Sequence, residues 1–179
     1  FWDQDLLYKG AYIVQWCPKD QTAIEDIEME YEDRTDKLYY LQYGPLVIAT
    51  TRPETKFGDT AMAVNPKDKR YKKYVGKEFE IATLNGIRKM KVVADDAIDP
   101  DFGTGAEKVT PGHDFLDYEI GKRHNLPIVH VLDKQGRLTE VAGKYAGMKI
   151  SEARPVIVAE LKKRGILIKE EVYKHKVPV

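Results

Sequence analysis

The chain has 179 residues, of which 42% are hydrophobic and 32% charged, enough apolar material for one domain with a true core. Lysine plus arginine and aspartate plus glutamate each number 29, so no broad positive field favours nonspecific nucleic-acid binding, and any such contact must be local. A single cysteine, Cys17, excludes an internal disulfide and, with four scattered histidines, shows no zinc-ligand spacing; this fits a reducing compartment and no structural metal.

No apolar run reaches the about 20 residues of a membrane span, and "FWDQDLLYKG" lacks the basic and apolar regions of a signal peptide. A cytoplasmic protein without a membrane partner is expected. In chain order, strands are predicted at 11–16, 37–43, 46–50, 60–64, 78–84, 88–94 and 127–132, all rich in β-branched and aromatic residues. "LNG" at 84–86 marks a hairpin. The acidic tract 25–33 alternates Ile27, Met29 and Tyr31 with charges and reads as an exposed strand. Helices are predicted at 66–76, at 114–125, and at 151–165 with Ser151 as N-cap and Gly165 as stop. The fold class is α+β, mainly β, with many short strands suggesting a closed or nearly closed β-barrel with peripheral helices.

Two polar stretches interrupt this pattern. "TTRPETKFGDTAMAV", 50–64, places Thr50, Thr51, Arg52, Glu54, Thr55 and Asp59 between apolar runs. In "DPDFGTGAEKVTPGHDFLDYEIG", 99–121, Gly103 and Gly105 allow a tight turn whose amides can face a bound group, Lys108 sits on a short strand, and Asp114 and Asp117 fall on one face of the next helix. A lysine and two carboxylates converging there make a pocket able to hold an ammonium group and orient water. The same residues also suit plainer roles: Asp114 as N-cap, Asp117 satisfying first-turn amides, Lys108 solvated, and His113 in packing, since no Ser or Cys nucleophile is paired with it.

Taken together, the two stretches resemble the inserted editing domain (connective polypeptide 1) of class I aminoacyl-tRNA synthetases for branched aliphatic amino acids. Arg52, Glu54 and Lys108 make the pattern most similar to the valyl type. The upstream "YIVQWCPKDQTAIEDIEMEY" and the closing "GKYAGMKISEARPVIVAELKKRGILIKEE" extend the likeness over nearly the whole chain. "AEKVTPGHDFLDY" departs from the usual "AVKVTPAHDPNDY" at positions that include Glu107, Gly112 and Phe115, without touching Lys108, Asp114 or Asp117.

The resemblance implies hydrolysis of mischarged threonyl-tRNA(Val) by water attack on the aminoacyl ester, as the editing part of an aminoacyl-tRNA ligase. Asp117 would pair with the substrate ammonium, Lys108 would meet the threonyl hydroxyl or the carbonyl oxygen, and Asp114 would position water. Arg52 would meet the terminal ribose or phosphate, with Thr50, Thr51, Thr55, Asp59, Thr110 and His113 lining the pocket and Phe102 walling the terminal adenine. No metal and no cofactor is implied, ATP being used only by a catalytic core outside this stretch, since neither "HIGH" nor "KMSKS" occurs. Partners would be the 3′ aminoacyl end of tRNA(Val) and the rest of the synthetase, with the isolated domain a monomer. Residues 1–45 would form a lead-in segment and β-ribbon at the junction, and 46–179 the editing domain and return strand. An isoleucyl- or leucyl-type editing domain, or a non-catalytic RNA-binding barrel, are the alternatives.

Overall fold

The computed structural model describes residues 1–178. Strands β1 (Gln15–Cys17) and β2 (Thr22–Ile24) form a small antiparallel hairpin. They are followed by β3 (Tyr31–Tyr43), β4 (Leu46–Thr50), β5 (Ala61–Val64), β6 (Glu78–Thr83), β7 (Gly86–Ala94) and β8 (Ala106–Val109). Helices α1 (Phe115–Arg123) and α2 (Ile150–Lys163) precede the last strand, β9 (Leu167–Pro178). The pairing orders are β1-β2, β4-β3-β9 and β6-β7-β5-β8.

The mainly β, α+β character is as expected, but among the described residues the strands form three sheets and no ladder closes them into a barrel. β4 and β8 lie side by side. The Val47 carbonyl on β4 is taken by the Thr104 hydroxyl, in the turn leading to β8, so a side chain joins the sheets where a ladder would. That turn needs glycine: Gly103 has φ +57°, and a Cβ there would come 2.7 Å from the Ala49 Cβ.

β5 explains how the layers share a core. All four of its residues are buried, and because side chains alternate along a strand, Met62 and Val64 join the main cluster while Ala61 and Ala63 join the one beneath α1. The main cluster adds Leu41, Tyr43 and Ile48 from the three-stranded sheet and Ile157 and Leu161 from α2. Each such apolar side chain contributes about 1.5–3 kcal/mol when fully buried. β3 changes character along its length: Tyr31–Lys37 pairs with the end of β9 as a largely exposed ribbon, whereas Leu38–Tyr43 enters the core. The residue-45 boundary falls in the turn between the paired strands β3 and β4, where Gly44, φ +57°, packs against Ile81 and Phe79.

Several predicted elements differ. Segment 66–76 is a series of turns, not a helix, because the Asn65 side chain accepts from the Lys67 amide and Asp68 from the Arg70 amide, drawing the backbone out of helical bonding. Segment 127–132 is not a strand: the Val131 amide donates to His113, the Thr139 hydroxyl takes the His130 carbonyl, and only an isolated bridge, Leu132 to Leu138, remains. Only Gln15 and Trp16 of the 11–16 strand are paired, and the acidic tract opens with a 3-10 turn, Asp26–Glu28, closed by a Glu25/Glu28 capping box before β3 begins. α2 starts one residue before Ser151, with Lys149 as N-cap. The 84–86 hairpin joins β6 to β7 as expected.

One ion pair ties the site segment to α2. Glu54, fully buried in the 3-10 helix Pro53–Gly58, accepts from Arg154 Nε at 2.9 Å and Nη2 at 2.8 Å. Loss of one partner strands a buried charge, so Arg154→Met is expected to lower stability in urea unfolding by about 3 kcal/mol, with Glu54→Met/Arg154→Met recovering most of it. A single variant as stable as the parent would show that the pair does not hold this junction.

Candidate functional site

The end of β4, the 3-10 helix behind it, β8, the first turn of α1 and β9 surround a cavity of about 310 Å³. Thr50, Thr51, Arg52, Thr55, Phe102, Lys108, His113, Asp114 and Asp117 line it, so most of the residues picked from the two polar stretches share one space.

The geometry centres on Lys108. Its Nζ donates to Thr110 Oγ1 at 2.6 Å and lies 3.8 Å from Asp117 and 3.9 Å from Asp59. An ammonium carries three donors, and among the described residues only the Thr110 bond is within hydrogen-bonding distance. The remaining donors are available to a ligand. Thr110 spends its own proton on Asp59 Oδ1 at 2.7 Å, and its backbone amide donates to Asp117 Oδ2 at 2.8 Å.

Asp59 and Thr110 were expected to line the pocket, but both are buried one layer behind the wall. Asp114 is the N-cap of α1, its Oδ1 accepting from the Asp117 amide at 3.1 Å. Asp117 does not cap its own helix; it reaches back to Thr110 and keeps Oδ1 unpaired by any described residue. Thr50 and Thr55 make local bonds with Arg52, accepting from its amide and donating to its carbonyl. The Arg52 guanidinium donates to the His113 carbonyl at 2.7 Å and stands 3.8 Å from Glu54.

Burial governs protonation here. It pushes the Asp117 carboxyl up to about 7, Asp114 and Asp59 adding to the effect and Lys108 and the Thr110 amide opposing it. Burial likewise raises Glu107, aided by Asp114. His113 is pushed down to about 4 by burial and by the cations Arg52 and Lys108, and its Nε2 accepts from the Val131 amide at 2.7 Å. His113 is therefore a neutral wall residue whose Nε2 lone pair is already used. The Gly103–Gly105 turn holds Phe102 in place; the Gly105 amide donates to the Phe102 carbonyl, which leaves it turned inward and not toward a ligand.

Sequence reasoning missed Glu107, Tyr173 and His175, which also line the cavity. Tyr173 meets Phe102 edge-on, the ring centroids 5.9 Å apart, and His175 Nε2 lies 2.9 Å from Asp36 Oδ2. Alternation in "VYKHKV" puts Tyr173 and His175 on one face of β9, a signal that could have marked them. Among the described residues no group of three or more His, Cys, Asp or Glu could hold a metal ion, and no helix is long and apolar enough to cross a membrane.

Comparison with known proteins identifies the family. The family model "tRNA synthetases class I (I, L, M and V)" matches residues 1–174. The chain is similar to the valine–tRNA ligases of Aquifex aeolicus, 47% identical over 98% of this chain and 17% of that protein, and of Thermotoga maritima, 50% identical over 96% of this chain and 20% of that protein. It thus spans about a fifth of the length of the curated relatives it matches. Among solved structures, the Agrobacterium radiobacter K84 agnB2 LeuRS in its ternary complex with tRNA and LeuAMS aligns with a TM-score of 0.48 at 19% identity, over 83% of this chain and 20% of that one. With nearly every residue covered by the family model, the chain belongs to the class I tRNA synthetases of the isoleucine, leucine, methionine and valine group.

Proposed function

We propose that this chain is the hydrolytic editing domain of a valyl-type synthetase, removing threonine from mischarged tRNA(Val), with the two larger sheets and their β4–β8 seam serving as the family's barrel. The observation that carries the reading is the pairing, on one cavity wall, of Lys108 with spare donors and Asp117 with a spare oxygen. An aminoacyl ester presents an α-ammonium beside its scissile carbonyl, and an ionised Asp117 matches that cation. Lys108 supplies donors for the threonyl hydroxyl or for negative charge growing on the carbonyl oxygen. Asp114, with one oxygen engaged by the helix and one open, orients the attacking water. The ester is already activated, so fixing a water against an oriented carbonyl suffices without a protein nucleophile.

Selectivity follows from what valine leaves unpaired. A synthetic pocket shaped for valine rejects threonine only about a hundredfold, a general figure for valyl enzymes and not one obtained from this structure. Here the relation reverses: a valyl methyl placed against the Lys108 donors leaves them unsatisfied, at about 1–3 kcal/mol. Arg52, anchored on the His113 carbonyl at the cavity edge, suits the ribose or phosphate of the terminal nucleotide, and Phe102 its base. The tRNA(Val) acceptor end and the rest of the synthetase are the partners this reading assigns.

Deacylation of threonyl-tRNA(Val) by the chain should exceed that of valyl-tRNA(Val) by on the order of tenfold or more, as the lost hydrogen bond requires. Equal rates would remove the basis for threonine selection.

The raised Asp117 pKa gives a pH test. Ammonium pairing needs the carboxylate, so kcat/KM for deacylation should fall as the pH drops below about 7. Stability runs the other way. A folded-state value raised from 3.8 to about 7 means that Asp117 holds its proton more tightly when folded, so its contribution is full below 3.8 and is lost as the pH rises through about 7. Asp117→Asn should therefore abolish most deacylation, unfold at higher urea than the parent well above pH 7, and match the parent under acid conditions. An active variant, or one no more stable than the parent at alkaline pH, would contradict this account of the residue.

A further inference from the structure

Behind the cavity wall lies a set of polar groups that touches no ligand. Tyr43, fully buried on β3, donates its hydroxyl to Asp59 Oδ2. Asp59, itself fully buried, accepts from Thr110 Oγ1 through its other oxygen. Because a carboxylate only accepts, the Thr110 proton must point at Asp59, which leaves the hydroxyl's lone pairs toward Lys108. The order Tyr43, Asp59, Thr110, Lys108 is thus directional, each link fixing the next. Lys56 stands at the inner end, its Nζ 5.0 Å from the Tyr43 ring centroid and buried with no hydrogen-bond partner. Arg88, the other cation near this end, donates to the Phe57 carbonyl.

We propose that Asp59 is the positioning residue of the site, clamped by Tyr43 and acting through Thr110 to hold the Lys108 ammonium at the cavity wall with its remaining donors facing the ligand. Asp59 does this without meeting the substrate. A pocket-lining role would require a place on the cavity surface, whereas Asp59 has both oxygens committed to the protein and lies behind Thr110. The arrangement gives the buried carboxylate a purpose: without it the Thr110 hydroxyl is free to turn, and Lys108 loses both its fixed acceptor and one of the two carboxylates beside it, so the ammonium is free to leave the wall. The donors aimed at the ligand would then be lost from the cavity surface. The purpose assigned to Lys108 and Asp117 rests on the hydrolytic reading above, but the hold on Lys108 can be measured without it.

The experiment compares the parent chain with Asp59→Asn, Tyr43→Phe and Thr110→Val, each checked for its fold by circular dichroism. Lys108 is labelled with an amine-reactive acylating reagent at neutral pH and quantified by mass spectrometry. An ammonium tied to a hydroxyl and flanked by two carboxylates is a poor nucleophile, so with one carboxylate gone and the hydroxyl unanchored Asp59→Asn should label about tenfold faster. Thr110→Val should behave alike, and Tyr43→Phe, which keeps the ring and so the packing, should move in the same direction. In parallel, threonyl-tRNA(Val) deacylation should fall in Asp59→Asn, and adding Lys108→Met should cause no further loss, since two residues acting through one group are not additive. Labelling at the parent rate in folded Asp59→Asn and Tyr43→Phe overturns the proposal, as do fully additive losses in the double variant. Faster labelling with no hydrolysis by the parent chain supports the hold on Lys108 and defeats the hydrolytic reading alone.

Discussion

The rest of the site depends on one constraint: an ammonium held within 4 Å of each of two carboxylates in a wall from which water is largely excluded. Charges of opposite sign attract strongly at that distance, yet each pays a large desolvation cost, and the balance decides which stay ionised. Asp59 has both oxygens satisfied, by Tyr43 and Thr110. Asp117 has one oxygen on a backbone amide and the other open, and burial raises its pKa toward neutrality despite Lys108 nearby. The two carboxylates thus divide the work. One is a partner inside the protein, and the other, on the proposed reading, is left for a cation from outside.

The fold supplies this wall through register. β8 pairs with β5 so that Lys108 stands opposite Met62, with Ala61 opposite Val109 just before Thr110. β5 itself begins right after Asp59 and Thr60, so the carboxylate enters beside the hydroxyl it accepts from. α1 then starts at Asp114, and its first turn returns Asp117 to the Thr110 amide. The opposite side is braced at longer range: Glu54 joins the segment carrying Arg52 to α2, and the Asp36–His175 contact holds the β3–β9 ribbon at the cavity edge. Strand ends and a helix start carry these side chains on regular backbone, the preorganisation that the proposed orientation of a water molecule needs.

How much of this was legible in the sequence varied with the range of the forces involved. The strand at 46–50, the 84–86 hairpin and the helix after Asp114 follow from local alternation, turn chemistry and capping, and the structure has them where the residues put them. The Lys108, Asp114 and Asp117 grouping was legible because ten residues span it on adjoining elements. The basic segment 66–76 misled because charge was read as helix surface, while Asn65 and Asp68 turned the backbone with their own side chains. Local alternation puts Tyr173 and His175 on one face of β9, but their place at the cavity comes only from the long-range pairing of β3 with β9. Asp59 was placed in the pocket by the family resemblance, with no local signal to set it apart from the lining residues. Nothing local distinguishes a carboxylate that meets a ligand from one that holds the residue meeting it, and that difference rests on which oxygens the packed structure has already used.

The central claim is that an aminoacyl ester lies with its ammonium on Asp117 and its side-chain hydroxyl toward Lys108. A crystal structure of the chain bound to a non-hydrolysable amide of threonine and 3′-amino-3′-deoxyadenosine tests it most directly. The account predicts the α-ammonium within hydrogen-bonding distance of the Asp117 oxygen left open by Thr110, and the threonyl hydroxyl within reach of the Lys108 ammonium. An analogue seated in the cavity with its ammonium turned away from Asp117, or bound elsewhere on the protein, would contradict it.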